Sequence, residues 1–340
     1  MIDVAIVGGG PAGSHCAYIL AENGVLSTIF DHSHPREKPC GGLISPLAQE
    51  LFPFLRTMPL GHSERKELQL LSPSGQRTTI ESRRNRLCAY SRSRFDQHLL
   101  KRAQAKGAVF IPEKAAEVVK HNGYWRIRTS SQIYDARILV GADGVNSLIR
   151  ESLIGPLKSV DKGICYGYLV KGLEKEDITM IFSSHRRGYM WIIPRDDHTC
   201  VGIGSSAIAH SDTLKIELDA YIKQHYAYVK KVSTWTALTP NIKAINTFNL
   251  PLAGSNWLLI GDAAGHVNPI MGEGIIYALL DGELAAQAII DKNCRQFDML
   301  WRESYGQALF RDIALQKWLY SRLGLESYCL ALMLQNKLHL

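Results

Sequence analysis

An α/β fold that carries an α+β insertion and ends in helices is predicted by the 340-residue sequence. Three observations predict it. A β-branched run, Ile2 to Val7, leads straight into Gly8-Gly9-Gly10 and a helix-like stretch. Two later apolar runs, Ile138 to Val140 and Trp257 to Ile260, each end in glycine and aspartate. Between them, from about 160 to 250, short alternating strands replace the α/β pattern.

Taken in order, Ile2 to Val7 has the continuous apolar character of a central parallel strand. Pro11 to Asn23 follows as a helix, with proline at its start and Gly24 just past its end. Leu26 to Phe30 is a second strand, closed by Asp31. Pro35 to Pro46, rich in proline and glycine, is a long loop. Arg94 to Lys106 places Phe95, Leu99, Leu100 and Ala103 on one helical face. Strands are expected at Val109 to Ile111, Ala116 to Val119, Trp125 to Thr129 and Ile138 to Val140. Four more (Cys165 to Val170, Ile178 to Phe182, Tyr189 to Ile193, Cys200 to Ile203) and a helix near 212–231 make the inserted sheet. A helix from Gly274 to about Asp291 and two more, Leu300 to Leu323 and Tyr328 to Leu340, finish the chain. The expected domains are 1–155 with 250–295, the inserted 156–249, and the helical 296–340.

Gly8-Gly9-Gly10-Pro11-Ala12-Gly13 is a G-x-G-x-x-G between a strand and a helix. Gly8 makes the tight turn, Gly10 lets the backbone approach a pyrophosphate, and Gly13 lets helix and strand pack closely. The helix amino terminus, with Pro11 and Ala12, stabilises phosphate charge. Asp31, at the end of the second strand, can accept from a ribose diol. This is the fingerprint of a single Rossmann unit, and by itself it does not separate NAD from FAD. Two further segments favour FAD. Gly141-Ala142-Asp143-Gly144 and Gly261-Asp262-Ala263-Ala264-Gly265 each put a carboxylate at the carboxyl end of a strand, where ligands of open α/β sheets bind. Asp262 can accept from a ribityl hydroxyl. The helix that begins at Gly272-Glu273-Gly274 can aim its positive end at the pyrimidine side of a reduced flavin.

These segments, with Arg92-Ser93-Arg94-Phe95-Asp96, resemble the R-x-x-F-D, G-A-D-G and G-D-A segments of flavoproteins of the para-hydroxybenzoate hydroxylase architecture. The resemblance assigns Arg92, Asp143 and Gly144 to the cofactor and leaves Arg94 on the helix surface. Pro35-Arg36-Glu37-Lys38-Pro39-Cys40-Gly41-Gly42 is similar to the P-x-x-K-x-C-G-G loop of the geranylgeranyl reductase family. Tyr189-Met190-Trp191-Ile192-Ile193-Pro194 resembles that family's Y-x-W-x-F-P segment. Residues 1 to 290 carry the resemblance, whose short bacterial members match this chain's length best. It implies reduction of isolated double bonds in an isoprenoid-like, apolar substrate, with electrons passing through FAD from NADPH or another reduced donor. It also puts Cys40, Gly41 and Gly42 at the flavin's reactive side, and Tyr189, Trp191 and Pro194 in a substrate wall. Ile193 departs from the pattern and brings the segment closer to the W-x-W-x-I-P of flavin-dependent halogenases. An oxygen-using monooxygenase or halogenase acting on an aromatic ring is therefore the rival reading. A flavin-bound regulatory protein without turnover is a third.

Cys40 lies between Pro39 and two glycines and not on an apolar face, which suits an active-site thiol acting as proton donor, gate or redox-sensitive group. Tyr189 and Trp191 share one face of a strand, a wall of a channel or of a core. Seven cysteines without a C-x-x-C pair, and twelve histidines without H-x-x-x-H spacing, predict neither a disulfide framework nor a metal. Gly202-Ile203-Gly204 lies inside a strand pattern, so a second dinucleotide loop is not expected. The net charge of +7 is spread out; the tightest groups are Arg83-Arg84-Asn85-Arg86, Arg186-Arg187 and Lys230-Lys231, without the interleaved aromatics of a nucleic-acid binder. A solvated basic surface and attraction to a membrane surface both account for it. The carboxyl-terminal aromatics Trp301, Phe310, Trp318 and Tyr320 fit either a cap on the cofactor domain or a helix lying on a bilayer. With no apolar run near the roughly 18 residues that span a bilayer, a cytoplasmic chain, at most peripheral to a membrane, is expected.

Overall fold

A computed structural model describes residues 1–82, 85–183 and 187–338. Arg83, Arg84 and Arg186, members of two of the basic groups, lie outside the described residues, as do the last two residues of the final predicted helix. The chain forms two compact units. The first comprises Met1–Arg36, Ser93–Asp161 and Pro240–Ile313; the second comprises Glu37–Arg92, Lys162–Thr239 and the segment from Ala314 onward.

The first unit is built on a seven-stranded sheet. Ile2–Val7 is its centre, pairing in parallel with Ser27–Phe30 on one side and with Ile133–Gly141 on the other. Val109–Ile111 extends the sheet beyond Ser27–Phe30, and Trp257–Leu259 pairs in parallel with the end of Ile133–Gly141. Glu117–His121 and Tyr124–Arg128 add an antiparallel hairpin. Val4, Ala5 and Ile6 are buried because a central parallel strand is covered on both faces. The helices Pro11–Glu22 and Ile275–Ile290 pack so closely that a methyl group on Gly282 would lie 2.9 Å from the carbonyl oxygen of Ala12. The expected strand–turn–helix units thus stand where the apolar runs predict, with boundary shifts of a few residues.

The second unit holds a seven-stranded sheet in which Lys162–Lys171, Thr199–Ser205, Gly188–Pro194 and Ile178–Ser183 are neighbours in that order. These four pair antiparallel in turn, and Ile178–Ser183 runs parallel to Glu67–Leu71 on its other side. Residues 37–92 therefore belong with this sheet and not with the predicted 1–155 segment, because Glu67–Leu71 and Arg77–Glu81 form its edge. A three-stranded sheet of Leu43–Ile44, Leu87–Ala89 and Ser63–Arg65 completes the unit. The helix expected near 212–231 ends at His225, and Lys230–Pro240 is a strand beside Lys162–Lys171. The helical spacing of Leu214, Leu218 and Ile222 runs on through Tyr226 and Val229, which pack against the same cluster after the helix has stopped. The carboxyl-terminal break falls at Tyr320–Ser321, between the helices Gln307–Leu319 and Arg322–Leu338, and not at 324–327. Among the described residues no helix is long and apolar enough to cross a membrane.

The glycines of Gly202-Ile203-Gly204 have a packing explanation. Gly202 pairs directly with Trp191, and a methyl group there would lie 2.3 Å from the indole Cζ2. Gly167, the partner of Gly202 on its other side, leaves the same room for Trp235, so the two indoles stack 6.0 Å apart. Gly202→Ala is expected to lower the unfolding free energy by about 1–3 kcal/mol through overpacking. Urea unfolding checks this; an unchanged midpoint would mean that Trp191 moves freely.

Candidate functional site

In the first unit the predicted cofactor segments converge. Gly8 adopts φ +106°, which side chains disfavour, and a methyl group there would sit 2.2 Å from the carbonyl oxygen of Ala142. The phosphate loop is thereby pressed onto the Gly141–Gly144 turn. A methyl on Gly13 would collide with the Gly8 carbonyl oxygen at 2.0 Å, so Gly13 holds helix against loop. Gly10 differs: a methyl there meets nothing within 4 Å, and as the amino-terminal cap of Pro11–Glu22 it offers no side-chain cap. Open space above uncapped helix N–H groups is what a pyrophosphate needs.

Asp31 accepts from the backbone N–H of Gly9 at 2.8 Å, and its other oxygen accepts from the N–H and hydroxyl of Ser33. Burial opposes its ionisation, but these hydrogen bonds outweigh it and hold the carboxyl below its usual value. It is therefore an oriented carboxylate at the end of its strand. Asp143 is turned inward instead. Its carboxylate accepts from Ser147, the cap of the helix Leu148–Ile154, and from the N–H of Ile149, and burial raises it above the ordinary range. The structure thus gives Asp143 the task of shaping its turn, and Gly144 stands beside it with open space at its Cα.

Gly261 and Asp262 form a short helical turn directly after Trp257–Leu259, and Gly274 caps Ile275–Ile290 with no side-chain cap. Gly272 closes the intervening loop by donating to the carbonyl of Asn268 at 2.9 Å. The two segments meet, since a methyl on Gly274 would lie 3.5 Å from Asp262 Oδ1. Below this turn is a buried network that sequence reasoning missed. Asp281 accepts from the Gly261 N–H at 2.7 Å, from His266 at 2.9 Å and from the Tyr305 hydroxyl. Arg150, also missed, is buried and donates to the carbonyls of Ala263 and Ala264 at 3.0 and 3.3 Å; burial draws its guanidinium down to about 10. The loop, the oriented Asp31 and the braced Asp262 turn fit FAD.

In the second unit the Cys40–Gly42 loop is fixed by a residue outside every quoted motif. Arg195 is 1% exposed and stands at the bend between Gly188–Pro194 and Thr199–Ser205. It donates to the carbonyl of Cys40, to the carbonyl of Gly41 at 3.3 Å, and to the carboxylate of Glu37. Glu37 in turn accepts from the hydroxyl of Ser91 and the N–H of Arg92, at 2.9 Å for the latter. Arg92 itself is buried. The Cys40 thiol is half-buried and accepts from the Gly42 N–H at 3.3 Å. Gly42 has φ +71°, and a methyl there would lie 2.2 Å from the Tyr90 carbonyl oxygen, while one on Gly41 would strike Ile193 at 2.5 Å. Tyr189 is half-buried beside Trp191, their rings 5.7 Å apart. Trp191 packs with Ile193, Ile178 and Cys200, and its indole N–H points at the Cys200 sulfur. Cys200 donates to the Cys40 carbonyl, and its burial keeps it a thiol. Pro194 is buried at the strand end, paired with Thr199.

A family model described as an FAD binding domain matches residues 1–291. A digeranylgeranylglycerophospholipid reductase of Picrophilus torridus is 30% identical over 84% of this chain and 77% of its own length. Among solved structures, a geranylgeranyl bacteriochlorophyll reductase-like protein of Thermoplasma acidophilum superposes with a TM-score of 0.84 at 24% identity, covering 97% of this chain and 91% of that one. The flavin-dependent brominase Bmp2, as a triple mutant, gives 0.79 at 20% identity, covering 99% and 95%. At those identities the two structures speak for the fold alone. The chain therefore belongs to the FAD binding domain family and is an FAD-dependent oxidoreductase of the geranylgeranyl reductase family.

Proposed function

We propose that the protein reduces isolated carbon–carbon double bonds in an isoprenoid-like chain, with NADPH or another reduced donor supplying the electrons. The observation that carries this reading is the Cys-Gly-Gly loop, held through the carbonyls of Cys40 and Gly41 by a buried arginine. The reductase relative from Picrophilus, named for a digeranylgeranyl lipid, supports the same substrate class. Reduced FAD supplies the hydride. The protein's share is positioning: Gly8, Gly10, Gly13, Asp31, Asp262 and Gly274 would hold the cofactor, and Cys40 would donate the proton to the alkene's second carbon. Tyr189, Trp191 and Pro194 form an apolar wall, which binds such a chain mainly by buried area at about 25 cal/mol per Å². Exposed Leu315, Trp318, Leu323, Leu330 and Leu334 near the carboxyl terminus support peripheral membrane contact, where a lipid substrate would be met.

Ile193 favours one other reading, halogenation or hydroxylation of an aromatic ring. Anaerobic reduction of the flavin, followed by a polyprenyl lipid, separates the two. Reoxidation without oxygen is expected, and Cys40→Ser should keep its FAD while slowing that reoxidation. Reoxidation that demands oxygen and yields a halogenated or hydroxylated ring would transfer the case to the rival.

A further inference from the structure

We propose that His62, Glu64 and Cys88, on the three-stranded sheet of the second unit, form a zinc site. Glu64 and Cys88 stand directly opposite each other on the antiparallel strands Ser63–Arg65 and Leu87–Ala89, and His62 immediately precedes the first strand. One ligand atom from each (imidazole nitrogen, carboxylate oxygen, sulfur) lies within 4.8 Å of the other two. The histidine spacing that predicts no metal does not reach this trio, because its members come from separate strands.

The imidazole geometry points to a cation. His62 Nδ1 lies 2.8 Å from the carbonyl oxygen of Leu60. A carbonyl only accepts, so Nδ1 carries the ring proton. Nε2 then faces Glu64 Oε1 at 2.9 Å. A nitrogen lone pair and a carboxylate repel at that distance, so a proton or a metal ion belongs between them; the Arg86 guanidinium lies on the other carboxylate oxygen, at 3.7 Å. An Nδ1–H given to a backbone carbonyl is also how metal-ligating histidines are commonly oriented. The Tyr90 ring, 4.7 Å away, holds the imidazole plane.

The third donor, a sulfur, completes a set that a metal ion uses in full and a shared proton does not. The thiol of buried Cys88 is in long contact, 3.7 Å, with the Arg86 carbonyl and also meets the side chain of Gln49. Metal binding would release the thiol proton to solvent and leave sulfur, nitrogen and oxygen as ligands, with water in the fourth position. A nitrogen–oxygen–sulfur set suits zinc and disfavours magnesium and calcium, which take oxygen. Zinc ligands lie about 3.5 Å apart, so the trio closes by roughly 1 Å, and the exposed Glu64 side chain can swing to do so. The role is structural. Leu87–Ala89 pairs on its other side with Leu43–Ile44, which follows directly on the Cys40–Gly42 loop, and the Tyr90 N–H donates to the Gly42 carbonyl at 3.0 Å. A metal here pins the sheet from which that loop springs.

The test uses cobalt(II), whose tetrahedral d–d bands fall in the red, beyond the flavin's own absorption. Added to tag-free, chelator-treated flavoprotein, it is expected to bind one equivalent per chain with strong red bands. Cys88→Ser and His62→Gln should each remove the bands or weaken binding at least about tenfold, and zinc should displace the cobalt. Cys40→Ser should leave the bands in place. His62 is partly exposed, so His62→Gln keeps the test decisive if Cys88→Ser fails to fold, and retained FAD verifies folding in each variant. Absence of red bands from the unaltered protein, or bands that survive both ligand variants, would show that a proton alone joins His62 to Glu64 and overturn the site.

Discussion

Gly10→Val is expected to strip FAD from the protein while leaving its fold in place, and Gly13→Val to destroy both. The contrast comes from the space at the two positions. A methyl on Gly13 lies 2.0 Å from the Gly8 carbonyl oxygen, 3.0 Å from Ile6 and 3.2 Å from Ala142, with backbone and core on all sides. The helix must lift off the central strand to admit it. A methyl on Gly10 meets nothing within 4 Å, and the residue's φ of −70° and ψ of −173° are open to any side chain. The apoprotein should therefore tolerate valine there, with a capping loss of a few tenths of a kcal/mol. The valine side chain instead enters the space over the helix N–H groups. Losing two hydrogen bonds to a charged phosphate, at about 1.5–3 kcal/mol each, lowers FAD affinity by about 10²-fold or more. Flavin absorbance after purification, flavin titration into apoprotein and apoprotein melting check the pair. A yellow Gly10→Val protein with unchanged affinity would show that the pyrophosphate does not lie over this turn.

What the sequence disclosed and what it hid divide along a physical line. The phosphate loop, Asp31 and the Asp262 turn were legible because strand, turn and helix are contiguous in the chain, so spacing alone positions them. Asp143 shows the limit of that method: its position was legible, but its hydrogen bonds go to Ser147 and Ile149, an inward turn no motif encodes. Strands of two or three residues such as Leu43–Ile44 and Ser63–Arg65 are too short to show a period of two; with these and the edge strands Glu67–Leu71 and Arg77–Glu81 missing from the reading, residues 37–92 fell into the wrong unit. The strand Lys230–Pro240 was hidden by a true helical spacing that persists past the helix end. Groups that act across long separations leave no trace in the sequence. Arg195 and Glu37 are 158 positions apart, and each looks alone like a surface charge.

Arg195→Met is expected to release the Cys40 loop and to leave FAD bound. The guanidinium has four partners, the carbonyls of Cys40 and Gly41, the Glu37 carboxylate and a ring nitrogen of His198, and it meets them from a site that is 1% exposed. Methionine fills the volume but satisfies none of them. Removing one member of a buried ion pair costs about 3–5 kcal/mol, because the remaining charge keeps its desolvation penalty. Glu37 retains the Ser91 hydroxyl and the Arg92 N–H, so its end of the network should hold. The Cys40 carbonyl keeps only the weak S–H of Cys200, and the strain falls on the loop. Local opening of the loop should become about 100-fold more frequent, read as faster hydrogen exchange at the Tyr90 amide, whose acceptor is the Gly42 carbonyl. Reduction of the substrate should fall by a comparable factor in kcat, since displacing a positioned group by about 1 Å costs about 10²-fold. Arg195→Lys should behave much like methionine, because one ammonium cannot reproduce the planar fork that reaches four partners. Exchange at Tyr90 and turnover that both match the unaltered protein would mean that the loop holds itself, through the Gly42 turn and the Gly42–Cys40 hydrogen bond alone.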